Sequence, residues 1–234
     1  MTRFSSLVCQ QCESRKGPLM GCCQAEELEH IAANKLAQLY RRGQVIFQEG
    51  SPAMGMYCVQ YGKIKVTKCD GDGREQIVRL AKGGDVLGIH SLLAQLHYST
   101  SAVALDDAVV CFIPRSDFLR LVNGNLQFAA SLMQLLGKAL GDAEARMLHL
   151  AYRPVRERLA EALLLLRDTF QEAGPEPFSI AIAREDLASL VGTAKETAIR
   201  LLAELKEEGI IATRGSQITI LRQERLARIA SLYN

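Results

Sequence analysis

Residues 184–205, REDLASLVGTAKETAIRLLAEL, leave this chain little choice of local structure. Leu187, Ala188, Leu190 and Val191 give one apolar helical face, and Gly192 supplies a left-handed residue that ends a helix at low cost. Thr193 then stands where an N-cap belongs, with Glu196 three residues on, the spacing of a capping box. Ala198, Leu201, Leu202 and Leu205 form the buried stripe of a second helix, which leaves Lys195, Glu196, Ile199 and Arg200 facing outward at its start, with Thr193 and Thr197 beside them. Two short helices joined by a tight corner have the layout of a helix-turn-helix, whose second helix sets its first side chains against base edges in the major groove. Glu can accept from a cytosine amine, and Arg can fork onto a guanine.

An ordinary helical hairpin is the competing reading, and the next segment weighs against it. Ile210 to Thr213 and Gln217 to Ile220 read as strands around the turn Arg214-Gly215-Ser216, a hairpin placed where a wing would be. Arg214 and Ser216 at its tip can reach phosphate, as can Arg184 at the start of the first helix. From Ala151 onward there are twelve Lys/Arg and twelve Asp/Glu, so any nucleic-acid binding must rest on where charges sit and not on their sum.

The chain has 234 residues, 48% of them apolar and 23% charged, enough for two domains. No apolar run is long enough to span a bilayer and no apolar leader opens the sequence, so a cytoplasmic protein with no membrane partner is expected. Seven cysteines in such a compartment point to metal binding, redox chemistry or burial before structural disulfides.

Residues 1–24 hold Cys9, Cys12, Cys22 and Cys23 in a polar, basic stretch that is expected to be loose without a ligand. A short helix follows over 25–33. From Leu36 to Pro114 the pattern is β: strands are expected at 44–48, 55–60, 63–68, 75–80, 85–88, 100–104 and 109–114, separated by glycine turns, as in a β-roll or barrel. From Leu119 the period changes to steps of three and four. Leu126, Ala129, Met133, Leu136, Leu140, Ala143 and Met147 make a heptad seam, and Asn123-Gly124 breaks it, so that the continuous helix starts near Asn125. A stripe this narrow suits a second copy of the chain better than a broad core face. Asp142 lies beside the seam, where its symmetry mate would repel it. Pro154 marks entry to the last domain. The expected architecture is α+β: a Cys-rich segment (1–24), a β-roll of the double-stranded β-helix, cyclic-nucleotide-binding-like kind (25–118), a dimerisation helix (119–152) and a winged helix-turn-helix (153–234).

This order of parts resembles the CRP/FNR family of bacterial transcription regulators. The motifs that carry the resemblance are KETAIRLL (195–202), GDVLG (84–88) and ALDDAVVCFIP (104–114). The resemblance implies a homodimer on double-stranded DNA, RNA polymerase as a partner, and a palindromic site whose TGA-like half-sites are read by a Glu and an Arg four residues apart, here Glu196 and Arg200. Where FNR-like members carry a Ser, this chain has Ile199, which can meet a thymine methyl. Cyclic-nucleotide members use a Glu for the ribose and an Arg for the phosphate. The corresponding runs here, Gly88-Ile89-His90-Ser91-Leu92 and Ser99-Thr100-Ser101-Ala102, hold neither, which argues against cyclic AMP.

FNR-like members hold an oxygen-labile [4Fe–4S] cluster with three N-terminal cysteines and one from the barrel. By that resemblance Cys111 matches the internal ligand, Cys9 and Cys12 the first pair, and Cys22 or Cys23 the third, at a longer spacing than the family's. A thiol–disulfide sensor using Cys9, Cys12, Cys22 and Cys23, a zinc site on the same C-x2-C and CC, and loose thiols remain open. Cys58 reads as core, Cys69 carries no assignment, and His90 reads as a satisfied histidine, with haem ligation the alternative. A small-molecule effector in the β-roll is the competing functional class. An enzyme is not expected, because no metal-binding His pair, phosphate loop or nucleophile–base set is present.

Overall fold

The computed structural model describes Cys9 and residues 12–94, 97–171 and 177–231. The chain divides into two compact units: residues 1–68 with 79–142, and residues 69–78 with 143–234.

In the first unit, two single 3₁₀ turns (Glu13–Lys16 and Met20–Cys22) lead into α1 (Ala25–Asn34). The backbone N–H of Gln24 donates to Oε2 of Glu27 at 2.7 Å, so a carboxylate three residues on covers the start of α1. Strands β1 (Leu36–Tyr40), β2 (Val45–Phe47), β3 (Gly55–Tyr61), β4 (Lys63–Cys69), β5 (Glu75–Lys82), β6 (Val86–Leu87), β7 (Ser101–Ala104) and β8 (Ala108–Pro114) follow, with α2 (Ile89–Leu93) after β6. They form two four-stranded sheets, in the orders β1-β8-β3-β6 and β2-β7-β4-β5, with the last residue of β4 and the first four of β5 counted in the second unit. All seven expected strands are present. β1 and α2 were not expected: β1 is an edge strand with three exposed residues, and α2 is too short to show a period.

β8 lies between β1 and β3 and is buried from Ala108 through Cys111, the continuous burial of a strand covered on both faces. One apolar cluster joins the N-terminal segment (Leu19, Met20, Cys23), α1 (Leu28, Ile31), β3 and β8. The described part of the segment expected to be loose is thus packed by its own apolar residues. A buried hydrogen bond from Ser14 Oγ to the Val59 carbonyl, 3.0 Å, fixes it to β3.

α3 (Arg115–Gly124) and α4 (Leu126–Tyr152) complete the helical part, and the boundary between the two units falls within α4. Asn125 leaves helical geometry (φ −123°) as expected from the sequence, and its Oδ1 accepts from the Phe128 N–H at 2.9 Å, capping α4. Leu119 and Val122, which continue the seam by count, sit instead on α3 and pack on the core of this unit. Phe118 and Phe128 meet edge to face across the break, ring centres 6.3 Å apart.

The second unit holds α5 (Val155–Phe170), β9 (Ser179–Ala181), α6 (Arg184–Val191), α7 (Lys195–Glu207), β10 (Ile211–Arg214), β11 (Gln217–Ile220) and α8 (Gln223–Ala230). The two-residue turn Gly215-Ser216 joins β10 to β11, and β9 pairs with the other side of β11. α8 was not anticipated; it buries Leu226 and packs on α5.

Candidate functional site

Two constellations stand out, one in each unit. In the first, Cys58 on β3 and Cys111 on β8 are direct partners in the antiparallel register, so their side chains share one face of the sheet. Above them come the 3₁₀ turns and α1. Cys9, Cys12, Cys58 and Cys111 line a single cavity, together with Lys35 and an apolar wall that includes Leu28 and Ile31. Cys9, Cys58 and Cys111 are buried and Cys12 is half-buried, and all are free thiols.

Burial pushes the Cys58 thiol well above its ordinary range. Burial also raises Cys111, with the Lys35 amine pulling in the opposite direction. For Lys35 itself burial works against the charge, but the hydrogen bond with Cys9 and the proximity of Cys111, Cys9 and Cys12 outweigh it and hold the ammonium form. The cavity therefore has its own counter-charge for thiolates.

Cys22 and Cys23 do not line this cavity. Cys22 Sγ donates to the Pro18 carbonyl at 3.2 Å and lies 3.1 Å from Ser131 Oγ on α4. Cys23 is buried, and desolvation, followed by the Glu27 carboxylate, pushes its thiol up to about 12. The carbonyl of Cys22 accepts from Asn125 Nδ2 at 3.1 Å, and the same amide donates to Glu27 at 2.9 Å. Among the described residues, no three Cys, His, Asp or Glu side chains stand close enough to hold a single ion as they are placed. Cys58 is buried, as its reading as a core residue expects, and it also lines the cavity, as does Lys35, for which the sequence suggests no role. For Cys58 the only pointer is the β3–β8 register, which no local pattern reveals.

In the second unit, α6 ends at Gly192 (φ 71°, ψ 52°), whose N–H returns to the Ala188 carbonyl at 2.9 Å. A Cβ at Gly192 would come within 2.7 Å of Leu150 Cδ2, a second reason for glycine at this corner. The expected capping box does not form: the N-cap is Ala194 and no side chain caps α7, so Thr193 lies one residue outside the helix. The cause is the left-handed Gly192, after which the chain needs two residues to enter α7.

Ala198, Leu201, Leu202 and Leu205 are buried as expected, and Lys195, Glu196, Ile199 and Arg200 are exposed; Thr193 and Thr197 are half-buried. Lys195 pairs with Glu185 on α6, and Arg200 pairs with Glu204 at 2.6 Å. Both cations of the exposed face thus arrive with an internal carboxylate that a phosphate or base would displace. Arg184 donates to the Gly215 carbonyl at 2.8 Å and reaches that of Ser216 at 3.5 Å, so it braces the wing from inside. Arg214 and Ser216 remain exposed at the tip. His90, in α2, bonds through Nε2 to Ser99 Oγ.

The profile of the cyclic nucleotide-binding domain matches residues 37–125, and that of the Crp-like helix-turn-helix domain matches residues 157–229. The cyclic AMP receptor protein of Thermus thermophilus is 32% identical over 91% of this chain and 96% of its own length. The chain belongs to the CRP/FNR family of transcription regulators. The fumarate and nitrate reduction regulatory protein of Escherichia coli is also similar, 29% identical over 88% of this chain and 82% of its own. Among solved structures, FixK2 from Bradyrhizobium japonicum matches with a TM-score of 0.74 at 29% identity, covering 84% of this chain and 98% of that one. As a CRP/FNR regulator the chain binds DNA through its helix-turn-helix domain and is not an enzyme. The start of α7 and the wing tip are exposed in this domain.

Proposed function

We propose that this CRP/FNR regulator is a cytoplasmic homodimer that senses oxygen or redox state through a [4Fe–4S] cluster. It would read a palindrome of TGA-like half-sites and act on RNA polymerase at the promoter. The observation that carries the reading is the cavity in which cysteines from the N-terminal segment and from the sheet converge around Lys35. The donor set fits the group: thiols, an ammonium to offset charge, and an apolar wall. Cys9, Cys12 and Cys111 would hold the cluster with one further cysteine, and when bound it supplies an oxygen-sensitive link between them.

The chain's own residues transmit the change. Asn125 holds the Cys22 carbonyl with its amide nitrogen and caps α4 with its amide oxygen, so a shift in the cysteine segment acts on the first turn of α4. Along that helix Leu126, Met133, Leu140 and Met147 recur every seven residues and are each more than 60% exposed in the single chain. Ala129, Leu136 and Ala143 fill the alternate positions of the seam. A second copy would cover it, with exposed Asp142 facing its mate and keeping association weak enough to be switched. Two-fold pairing would present two α7 helices to two half-sites, where Glu196 and Arg200 read bases, Lys195, Thr193 and Thr197 flank them, and Arg214 and Ser216 meet phosphate.

Cyclic AMP is not the signal in this reading: Ser91 and His90, in the run that aligns with the nucleotide motif, are engaged with Ser99. The second reading is a thiol–disulfide sensor, favoured by the direct pairing of Cys58 and Cys111. Anaerobic purification followed by iron and sulfide assay separates the two. The cluster reading expects both elements in the protein and loss of DNA affinity on exposure to air. Full regulated DNA binding with neither element present would establish the thiol switch instead.

A further inference from the structure

Cys58 was read as a core residue, and the tertiary structure gives it company that the sequence does not. We propose that Cys58, not Cys22 or Cys23, is the fourth thiolate of the iron–sulfur site, with Cys9, Cys12 and Cys111. The inference rests on the cluster reading above and names the residue that completes it.

Three observations carry it. The first is the cavity: the four thiols that line it are Cys9, Cys12, Cys58 and Cys111, and the two adjacent cysteines at 22 and 23 are off it. The second is register. Cys58 and Cys111 are opposite each other on central strands, on one face, so the sheet delivers two sulfurs side by side without any loop having to move. The third is anchorage. The turn that carries Cys12 is pinned next to Cys58 by the buried Ser14 Oγ to Val59 carbonyl bond, and the Cys12 carbonyl accepts from the Arg15 N–H at 3.0 Å. The alternatives differ: Cys22 is engaged with Pro18 and Ser131 through its sulfur and with Asn125 through its carbonyl, while Cys23 is buried in the same apolar cluster as Cys9, Cys58 and Cys111 but does not line the cavity. Bringing the Cys22 sulfur to the cavity would break its contacts with Pro18 and Ser131.

The resulting arrangement is asymmetric. Cys58 and Cys111 come from neighbouring strands of one sheet, while Cys9 and Cys12 come from the N-terminal segment on the other side of the cavity. Ligation would replace the S–H bond of each cysteine by an Fe–S bond, the proton leaving with the ligand that the thiolate displaces from iron, with no change in oxidation state.

The test loads the full chain anaerobically with iron and sulfide and measures both elements per chain, the visible absorption and the Mössbauer spectrum. Cys58→Ser and Cys58→Val, the second filling the site with an apolar group of similar size, are compared with a double variant, Cys22→Ser with Cys23→Ala. Melting of each apo-protein confirms folding. The parent is expected to take up about four irons and four sulfides. The double variant should match it, and both Cys58 variants should lose most of the iron and the cluster spectrum. Either folded Cys58 variant loading like the parent overturns the assignment, as does loss of the cluster from the folded double variant. A parent that takes up no iron or sulfide removes the cluster reading itself, an outcome distinct from both.

Discussion

Asn125 concentrates three tasks in one buried side chain. It caps α4 through the Phe128 N–H, holds the Cys22 carbonyl and meets Glu27. Asn125→Ala removes the cap, worth about 1 kcal/mol, and leaves partners without their hydrogen bonds at a further cost of roughly 1–3 kcal/mol. For a chain of this size, at about 2–4 °C per kcal/mol, we expect the melting midpoint to fall by about 4–16 °C. If α4 is coupled to the cysteine segment through this amide, DNA affinity should also stop responding to air. His90 gives a prediction in pH. Burial, then the positive charges of Arg79 and Lys68, hold its imidazole below the ordinary range. The unfolded chain therefore takes up a proton first as pH falls, so the folded state loses stability from about pH 6.5 downward and is unaffected above it. His90→Gln should flatten that loss in urea melts compared at about pH 7 and about pH 5. The ring keeps solvent exposure, so the difference will be small.

Among the elements, α7 and the wing divide the work. Arg200 stands exposed on the outer face with Glu204 as its partner, free to exchange a carboxylate for a base. Arg200→Ala should cost about 1–3 kcal/mol on a cognate half-site and relax base preference there. Arg184 is different, because its guanidinium is spent on the carbonyls of Gly215 and Ser216. Arg184→Ala should weaken binding to every sequence alike by loosening the wing, leaving the order of base preferences unchanged in a competition assay. The α6–α7 corner was legible in the sequence because periodicity and a glycine stop are local signals. The failure of Thr193 to cap α7 was not, since a cap depends on the dihedrals of the residues entering the helix. β1 and α8 escaped for related reasons: an edge strand has no clean alternation, and the stripe of α8, Leu226, Ile229 and Ala230, spans only eight residues, too few for the period to repeat.

For the whole molecule, association is the property most exposed to test. Leu140 is 62% exposed in the chain, so Leu140→Glu should leave its melting close to that of the parent. In a dimer packed through α4 the same change sets two carboxylates against each other in the seam. Sedimentation should then show a monomer with weak binding to a palindrome, whereas a dimer of unchanged strength would place the interface elsewhere. The linear order of the chain determined a good deal by itself. The winged helix-turn-helix, the run of β strands and the heptad seam follow from periods of two, three and a half, and three and six-tenths, which neighbouring residues impose on one another. Cys9, Cys12 and Cys111 also stood out by spacing and likeness. Only tertiary structure brought Cys58 and Lys35 to the lining of one cavity with them and left Cys22 and Cys23 off that lining. The reason is that β3 and β8 meet through a register set between strands more than forty residues apart, and a shift of one residue would turn Cys58 to the other face of the sheet.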